Sequence, residues 1–511
     1  MCSLHFGEGC QSRWPIENFR VQVLQIQGVS PIERKCRSQN HLTKYEAMPI
    51  NRFISYTLTS GQSRAIRDME VFFHDDHQIY VLQGYAGTGK TTLLKGILDY
   101  LDSERRPYKL MASTGRASRV LTNKTGRQAS TIHSTIYEID SARTDVRDDR
   151  KILAFRLRQN PDAAETLYFI DEASMIADKT EMNLNLLFDD GKFLDHILRY
   201  IGSRKLVFIG DRAQLPPVNC SFSAAMDAEY LERTYHKKVT HVELTEVKRQ
   251  EGCRGIIDNA TQLREKLYSG SIPPLSFKVS GYDDISPSIN IWKAVKDYSA
   301  EIIEYGFERG IFISYSNGGA HYLNSEIRRN IYRNPETPLQ PDEWLMVVQN
   351  NYQTGYNNGQ HLKLLSWDNN GEEIGNISLV DAEVEDPQTG IRKSVKMVYD
   401  LLFRKDPNLT LEEEKEFTID FAIRMRHMGI KPGTDSFLVR LISDKRLNAL
   451  RVKFGYAITC HKAQGGEWEK VHVNIEPAFE KMPRDLQYRW LYTAITRASG
   501  SLVVPNHPML Y

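Results

Sequence analysis

The chain has 511 residues, 41% of them hydrophobic and 26% charged, with a net charge of +1. Such a length exceeds one core, so two to four domains are expected. No run of about 18 apolar residues is present to cross a membrane, and MCSLHFGEGCQSRWPIENF lacks the basic start and apolar core of a secretory leader. Six scattered cysteines without a C-x-x-C pair suggest neither a disulfide framework nor a zinc site and fit a reducing cytoplasm. The balanced charge leaves any nucleic-acid binding to a local positive groove.

In chain order, residues 1–47 hold three of the six cysteines and show no sustained period. They read as a disordered extension, with an accessory binding segment as the alternative. Met48 precedes NRFISYTLTSGQSRAIRDMEVFF, which reads as the start of a domain. QIYVLQG (78–84) predicts a short apolar strand, followed by a glycine-rich loop and a helix over TTLLKGILDYL. KLMAST (109–114), LYFIDEASM (167–175) and KLVFIGD (205–211) predict further strands, with a helix starting at RASRVLTNKT. Strands alternating with helices argue for a parallel, doubly wound α/β sheet over 48–220. Ligands of such sheets bind beyond the carboxyl ends of the strands, here at Gly84, Thr114, Asp171 and Asp211. RTDVRDDRKILAFRLRQN (143–160) has a polar tip and an alternating arm through Lys151, Leu153, Phe155 and Leu157, which predicts a β-hairpin over about 138–163. GIFISYS (310–316), AHYLNSEIRRNIY, FGYAITCHKAQG (454–465) and SLVVPN (501–506) predict a second α/β domain over 221–511. Within it, about 340–450 alternates short strands with turns and adds the acidic helical run LTLEEEKEFTIDFAIRMRHM, an inserted β-rich module whose acidic face reads as solvated.

Chemistry concentrates in a few stretches. GYAGTGKTT (84–92) carries G-x-x-x-x-G-K-[ST] between a strand and a helix. Backbone N–H groups from Gly84, Ala86, Gly87, Thr88 and Gly89 and the helix start at Thr92 would cradle ATP phosphates. Lys90 would reach the β and γ phosphates, and the Thr91 hydroxyl would bind Mg²⁺. Asp171 closes a strand where it can hold Mg²⁺, and Glu172 beside it can orient or deprotonate an attacking water. Gln214, in FIGDRAQLPPV, follows the next strand and can sense the γ phosphate.

These stretches and those after them resemble, in order, superfamily 1 DNA helicases of the Dda and RecD type, from about residue 56 to the end. The match rests on LTSGQSRAI, GYAGTGKTT, ASTGRASRVL, TIHSTIY, FIDEAS, IGDRAQLPPV, LTEVKRQ, FGYAITCHKAQGGEW and YTAITRAS. Ser113 stands where proline is usual, residues 1–47 have no counterpart, and the chain ends soon after the last motif, so no C-terminal partner domain is expected.

The resemblance implies two RecA-like domains, ATP and Mg²⁺, and 5′ to 3′ movement on single-stranded DNA. Gln62 would read adenine, with Gly465 and Glu467 approaching the nucleotide. Arg249 and Arg497 would reach across the cleft to the transferring phosphate. Thr114, Arg116, His133, Asn317, Thr459, His461 and Lys462 would hold the strand through its phosphates. The hairpin looks like the family's duplex-meeting pin, with Phe155 either stacking on a junction base or packing the hairpin onto the first domain; alternation alone does not say which. The β-rich module resembles the small barrel of the second domain. The expected partners are single-stranded DNA and duplex junctions, with replication or repair proteins, for a monomer. The alternatives are a strand-dependent ATPase that remodels protein–DNA complexes without unwinding, or an RNA helicase.

Overall fold

The computed structural model describes residues 49–145, 150–180, 186–188, 191–247, 254–333, 338–505, 507 and 509–510. The extension expected over 1–47 and the Arg249 position lie outside them.

Helix α1 (Ser60–Phe72) opens on a capping box: the Thr59 hydroxyl accepts from the Gln62 amide, and the Gln62 side chain accepts from the Thr59 amide. After it come β1 (Ile79–Gly84), α2 (Lys90–Ser103), β2 (Tyr108–Ala112), α3 (Gly115–Thr125), β3 (Ala129–Thr131) and α4 (Ile132–Ile136). A hairpin of β4 (Tyr137–Asp145) and β5 (Arg150–Leu157) follows, then β6 (Leu167–Asp171), β7 (Leu186–Phe188), α5 (Phe193–Ile201), β8 (Leu206–Gly210), α6 (Ala228–Tyr235) and β9 (Val239–Leu244). Six of these strands form one parallel sheet, ordered β3-β2-β6-β8-β1-β9. Strand β1 is buried at all its positions, as a strand covered by helices on both faces must be. In register, Ala112 lies beside Asp171 and Gln83 beside Gly210. Gly84, Thr114, Asp171 and Asp211 therefore meet along one edge, with β8 between the strands that bear the phosphate loop and the paired acids.

The second half runs through α7 (Arg254–Leu267), β10 (Ile285–Ser288), α8 (Ile291–Tyr305), β11 (Gly310–Ser314) and α9 (Asn317–Tyr332). Next come β12 (Trp344–Val347), β13 (His361–Ile374), β14 (Ile377–Glu385), β15 (Arg392–Val398), α10 (Leu411–His427), α11 (Asp435–Ser443) and β16 (Val452–Phe454). The chain then forms β17 (Ala457–Thr459), α12 (Cys460–Ala463), β18 (Trp468–Asn474), α13 (Arg484–Ile495) and β19 (Ala498–Pro505). The second parallel sheet is ordered β10-β19-β18-β11-β17. Between β11 and β17 an antiparallel sheet, β15-β14-β13-β12-β16, curls round until Leu450, just ahead of β16, exchanges backbone bonds with Lys396 and Val398 of β15. No helix among the described residues is long and apolar enough to cross a membrane.

Three expectations are corrected. Strand β9 belongs to the first sheet, pairing with β1 from Ile79 to Gly84, so that sheet extends past residue 220; α6 is short enough to return the chain directly to the open edge. The stretch 454–465 is not one strand. It divides at Gly455, where a Cβ would meet the His361 ring at 2.7 Å, so that β16 closes the antiparallel sheet and β17 joins the parallel one. Finally, Phe155 does not face outward. It is 5% exposed, joins the first sheet's core with Tyr137, Phe193 and Ile197, and lies 5.3 Å, centroid to centroid, from Tyr352. Packing onto the core removes the large apolar ring from water, and a base cannot stack on it there.

Phe155→Ala should accordingly destabilise the fold by about 3–5 kcal/mol, as other buried Phe truncations do. Denaturant unfolding measures this. A loss below about 1 kcal/mol would contradict the inward placement.

Candidate nucleotide cleft and strand groove

The loop after β1 takes its shape from glycine. Gly87 (φ 79°) and Gly89 (φ 78°) are left-handed, and a Cβ on Gly89 would strike Gln62 Nε2 at 2.9 Å. Gln62 is buried, and its Nε2 donates to the Thr88 carbonyl at 2.9 Å. Both ends of its amide thus hold the loop and the α1 cap, rather than standing open to adenine. Lys90 Nζ donates to the carbonyls of Gly84 (2.6 Å) and Tyr85 (3.1 Å), folded over the loop it serves. Thr91 and Thr92 occupy the first turn of α2.

At the end of β6, burial pushes the Asp171 carboxyl up to about 6, and the neighbouring Glu172 carboxylate adds to the rise. Glu172 itself sits at φ 52°, a left-handed turn that brings its amide onto Asp171 Oδ1 at 2.9 Å. Burial likewise raises Asp211 at the end of β8. Gln214 is buried, and its Oε1 has no hydrogen-bond partner among the described residues.

The second half meets this edge closely. Leu215 N donates to Thr493 Oγ1 (2.9 Å), and Gln464 Nε2 donates to the Leu215 carbonyl (2.9 Å). The amide of Ala86, inside the phosphate loop, donates to the Tyr492 hydroxyl (2.9 Å), which donates to Asp211 Oδ2 (2.6 Å). The Arg264 guanidinium lies 4.1 Å over the Tyr85 ring. Arg497 is 6% exposed and donates to the Thr493 carbonyl, the Gly466 carbonyl and Thr496 Oγ1; no carboxylate pairs with it among the described residues. Gly465 (φ 73°) packs on α3, where a Cβ would come within 2.8 Å of Ala117 Cβ, and Glu467 pairs with Lys124 at 2.6 Å.

Along the same seam runs a groove of about 270 Å³. Thr114, Arg116 and His133 wall it from the first half, and His461 and Lys462 from the second. Thr114 caps α3, its hydroxyl accepting from the Ala117 amide at 3.1 Å. His133 stacks on Phe193 at 4.5 Å. Burial lowers His461, favouring the neutral ring, and pulls the Lys462 ammonium down to about 8. Lys462 has no hydrogen-bond or ion-pair partner among the described residues. Arg116 also lines the groove, and its guanidinium lies 4.6 Å over Trp468 and bonds the His361 ring. Thr459 is 9% exposed and sits beside Ser314 in register, three residues before Asn317 opens α9. Both stand at the second sheet's carboxyl edge without lining the groove.

An AAA domain model matches residues 57–270, and a UvrD-like helicase C-terminal domain model matches residues 454–504. The chain is 26% identical over 424 residues to the ATP-dependent RecD2 DNA helicase of Deinococcus radiodurans, covering 83% of this chain and 46% of that protein. It is 29% identical over 282 residues to the ATP-dependent DNA helicase dda of Enterobacteria phage T4, covering 54% of this chain and 57% of that protein. These matches make the chain similar to the Dda, Pif1 and RecD-like group of superfamily 1 helicases. It spans about half the length of these two relatives. A crystal structure of a Bacteroides Pif1 helicase with ADP-AlF3 and ssDNA aligns over 88% of this chain and 92% of its own, at 17% identity and a TM-score of 0.46.

The quoted motifs contain Gln464 and Tyr492 without marking either as a site residue, and they leave Asn350, Asn358 and Arg264 outside altogether. Asn350 and Asn358 lie in NNYQTGYNNG, legible only as turns, and α7 carries Arg264 with no local signal at all. For the metal, the Thr91 hydroxyl and the Asp171 carboxylate are the hard oxygens that Mg²⁺ takes. The raised Asp171 carboxyl next to Glu172, with no basic side chain bonded to either among the described residues, suits a divalent cation.

Proposed function

We propose that the chain is an ATP-dependent DNA helicase that moves 5′ to 3′ along single-stranded DNA and separates duplex, using Mg²⁺ with ATP, in the cytoplasm. The observation that carries this reading is the shared seam. One groove is walled by residues from both halves of the chain, and the same seam brings the second half's Tyr492 and Arg264 onto the phosphate loop.

The groove's chemistry suits a sugar–phosphate backbone. Lys462 is a desolvated cation without a partner among the described residues, the Thr114 and Thr131 hydroxyls line the wall, and none of the described lining residues is acidic. At the other side of the seam, Glu172 would activate water, while Lys90 and Arg497, which has no carboxylate partner among the described residues, would offer charge to the transferring phosphate. Arg249 would add a second cross-cleft charge. Closing the cleft brings the two halves together, and reopening it after hydrolysis shifts the strand. Opening a base pair costs roughly 1–2 kcal/mol of stacking, a small load for one ATP.

Unwinding of a duplex with a 5′ tail, compared with one bearing a 3′ tail, tests the reading. It predicts strand separation from the 5′ tail alone, dependent on ATP. Translocation without strand separation would favour the remodelling ATPase, and preference for a 3′ tail would reverse the polarity.

Lys462 supplies a pH test. A lysine held near 8 must be protonated to meet a phosphate, so its contribution is full below that value and is lost as pH rises through it. Single-strand affinity should fall about tenfold between pH 7 and pH 9. Lys462→Arg, charged throughout, should flatten that slope. Equal slopes in the two proteins would remove Lys462 from the phosphate contact.

A further inference from the structure

We propose that Tyr492 is a positioning residue for ATP turnover: its hydroxyl and the nucleotide phosphates take turns at the Ala86 amide, and the exchange moves the loop that carries Gln214. This rests on the ATPase reading above and deepens it.

The phenol is 1% exposed and bridges the phosphate loop and the turn after β8. It accepts the Ala86 N–H at 2.9 Å and donates its single proton to Asp211 Oδ2 at 2.6 Å. Asp211 passes the connection on, for its Oδ1 accepts from the Ala213 amide (2.9 Å) and its carbonyl from the Gln214 amide (3.3 Å). Burial among these groups raises the phenol well above its usual range, so it remains a neutral donor throughout.

Tyr492 does not act from an isolated position. Arg489, Tyr492 and Thr493 stand on one face of α13, three and four residues apart. Arg489 donates to the carbonyls of Arg212 and Gln214, and Thr493 accepts from Leu215 N. One turn further on, Arg497 donates to the Thr493 carbonyl. A displacement of Tyr492 therefore carries the Asp211–Leu215 loop and Arg497 with it.

Space makes the displacement necessary. Between Tyr85, Ala86, Arg264, Tyr492 and Thr496 the free volume is about 10 Å³, roughly that of one water. A phosphoryl group that takes the Ala86 amide must move the phenol. The Ala86 N–H is satisfied either way, which allows the exchange at little cost.

Tyr492→Phe keeps the ring and deletes the competitor. Binding of a fluorescent ADP without DNA should tighten about five- to tenfold, the scale of one hydrogen bond. The stimulation of turnover by single-stranded DNA should shrink in the same variant, because the helix no longer reports on the loop. An unchanged or weakened nucleotide affinity in a variant of wild-type melting temperature would overturn the proposal. Wild-type protein that binds no nucleotide would instead defeat the ATPase reading itself. Should Tyr492→Phe fold poorly, 3-fluorotyrosine placed at 492 gives a second readout. Its fluorine resonance should shift when ADP is added, and a resonance that stays put would equally overturn the exchange.

Discussion

The loop Asp211–Leu215 ends a strand of the first sheet but completes its bonding in the second. Leu215 is 2% exposed and Ala213 is fully buried, both within the core that also holds Tyr488 and Ile495. The Leu215 amide and carbonyl find their partners in Thr493 and Gln464. A buried backbone group left without a partner costs about 1–3 kcal/mol. The two sheets therefore cannot part at this loop one bond at a time, and α13 has to travel with it or release it as a whole.

From that constraint the rest of the site follows. The phosphate loop, the paired acids and Gln214 lie along one edge of the first sheet because the strands are parallel and in register. Helix α13 lies across that edge. The groove opens along the same seam, so a strand held by Thr114 and His133 on one wall and Lys462 on the other would span the joint that nucleotide would rearrange. The exposed Lys124–Glu467 pair also crosses the seam, but such pairs contribute only about 0–1 kcal/mol. Close packing of Gly465 on Ala117 sets the approach there more firmly.

Much of this was legible in the sequence, for identifiable reasons. Buried parallel strands such as IYVLQG read as unbroken apolar runs, and polar residues at their ends mark the edge where sites form. Thr114, His133, His461 and Lys462 were found through motif order, and the fold brings them together. What failed depends on information outside any local window. The place of β9 beside β1 is a matter of strand order. The inward turn of Phe155 could not be chosen, since a period of two does not say which face is the core. The contacts of Arg116 with His361 and Trp468 likewise join residues remote in sequence. Tyr492 reads in a helix as one more packed aromatic, until its hydroxyl is seen against the Ala86 amide.

If groove and phosphate loop share one joint, strand and nucleotide binding must be thermodynamically linked. Single-strand affinity would be measured with and without a saturating nonhydrolysable ATP analogue, and analogue affinity with and without a saturating strand. Coupling through the seam requires both ratios to equal one common factor, which for such coupling is typically about 5- to 150-fold. Ratios of one in both directions would show two independent sites and no shared joint.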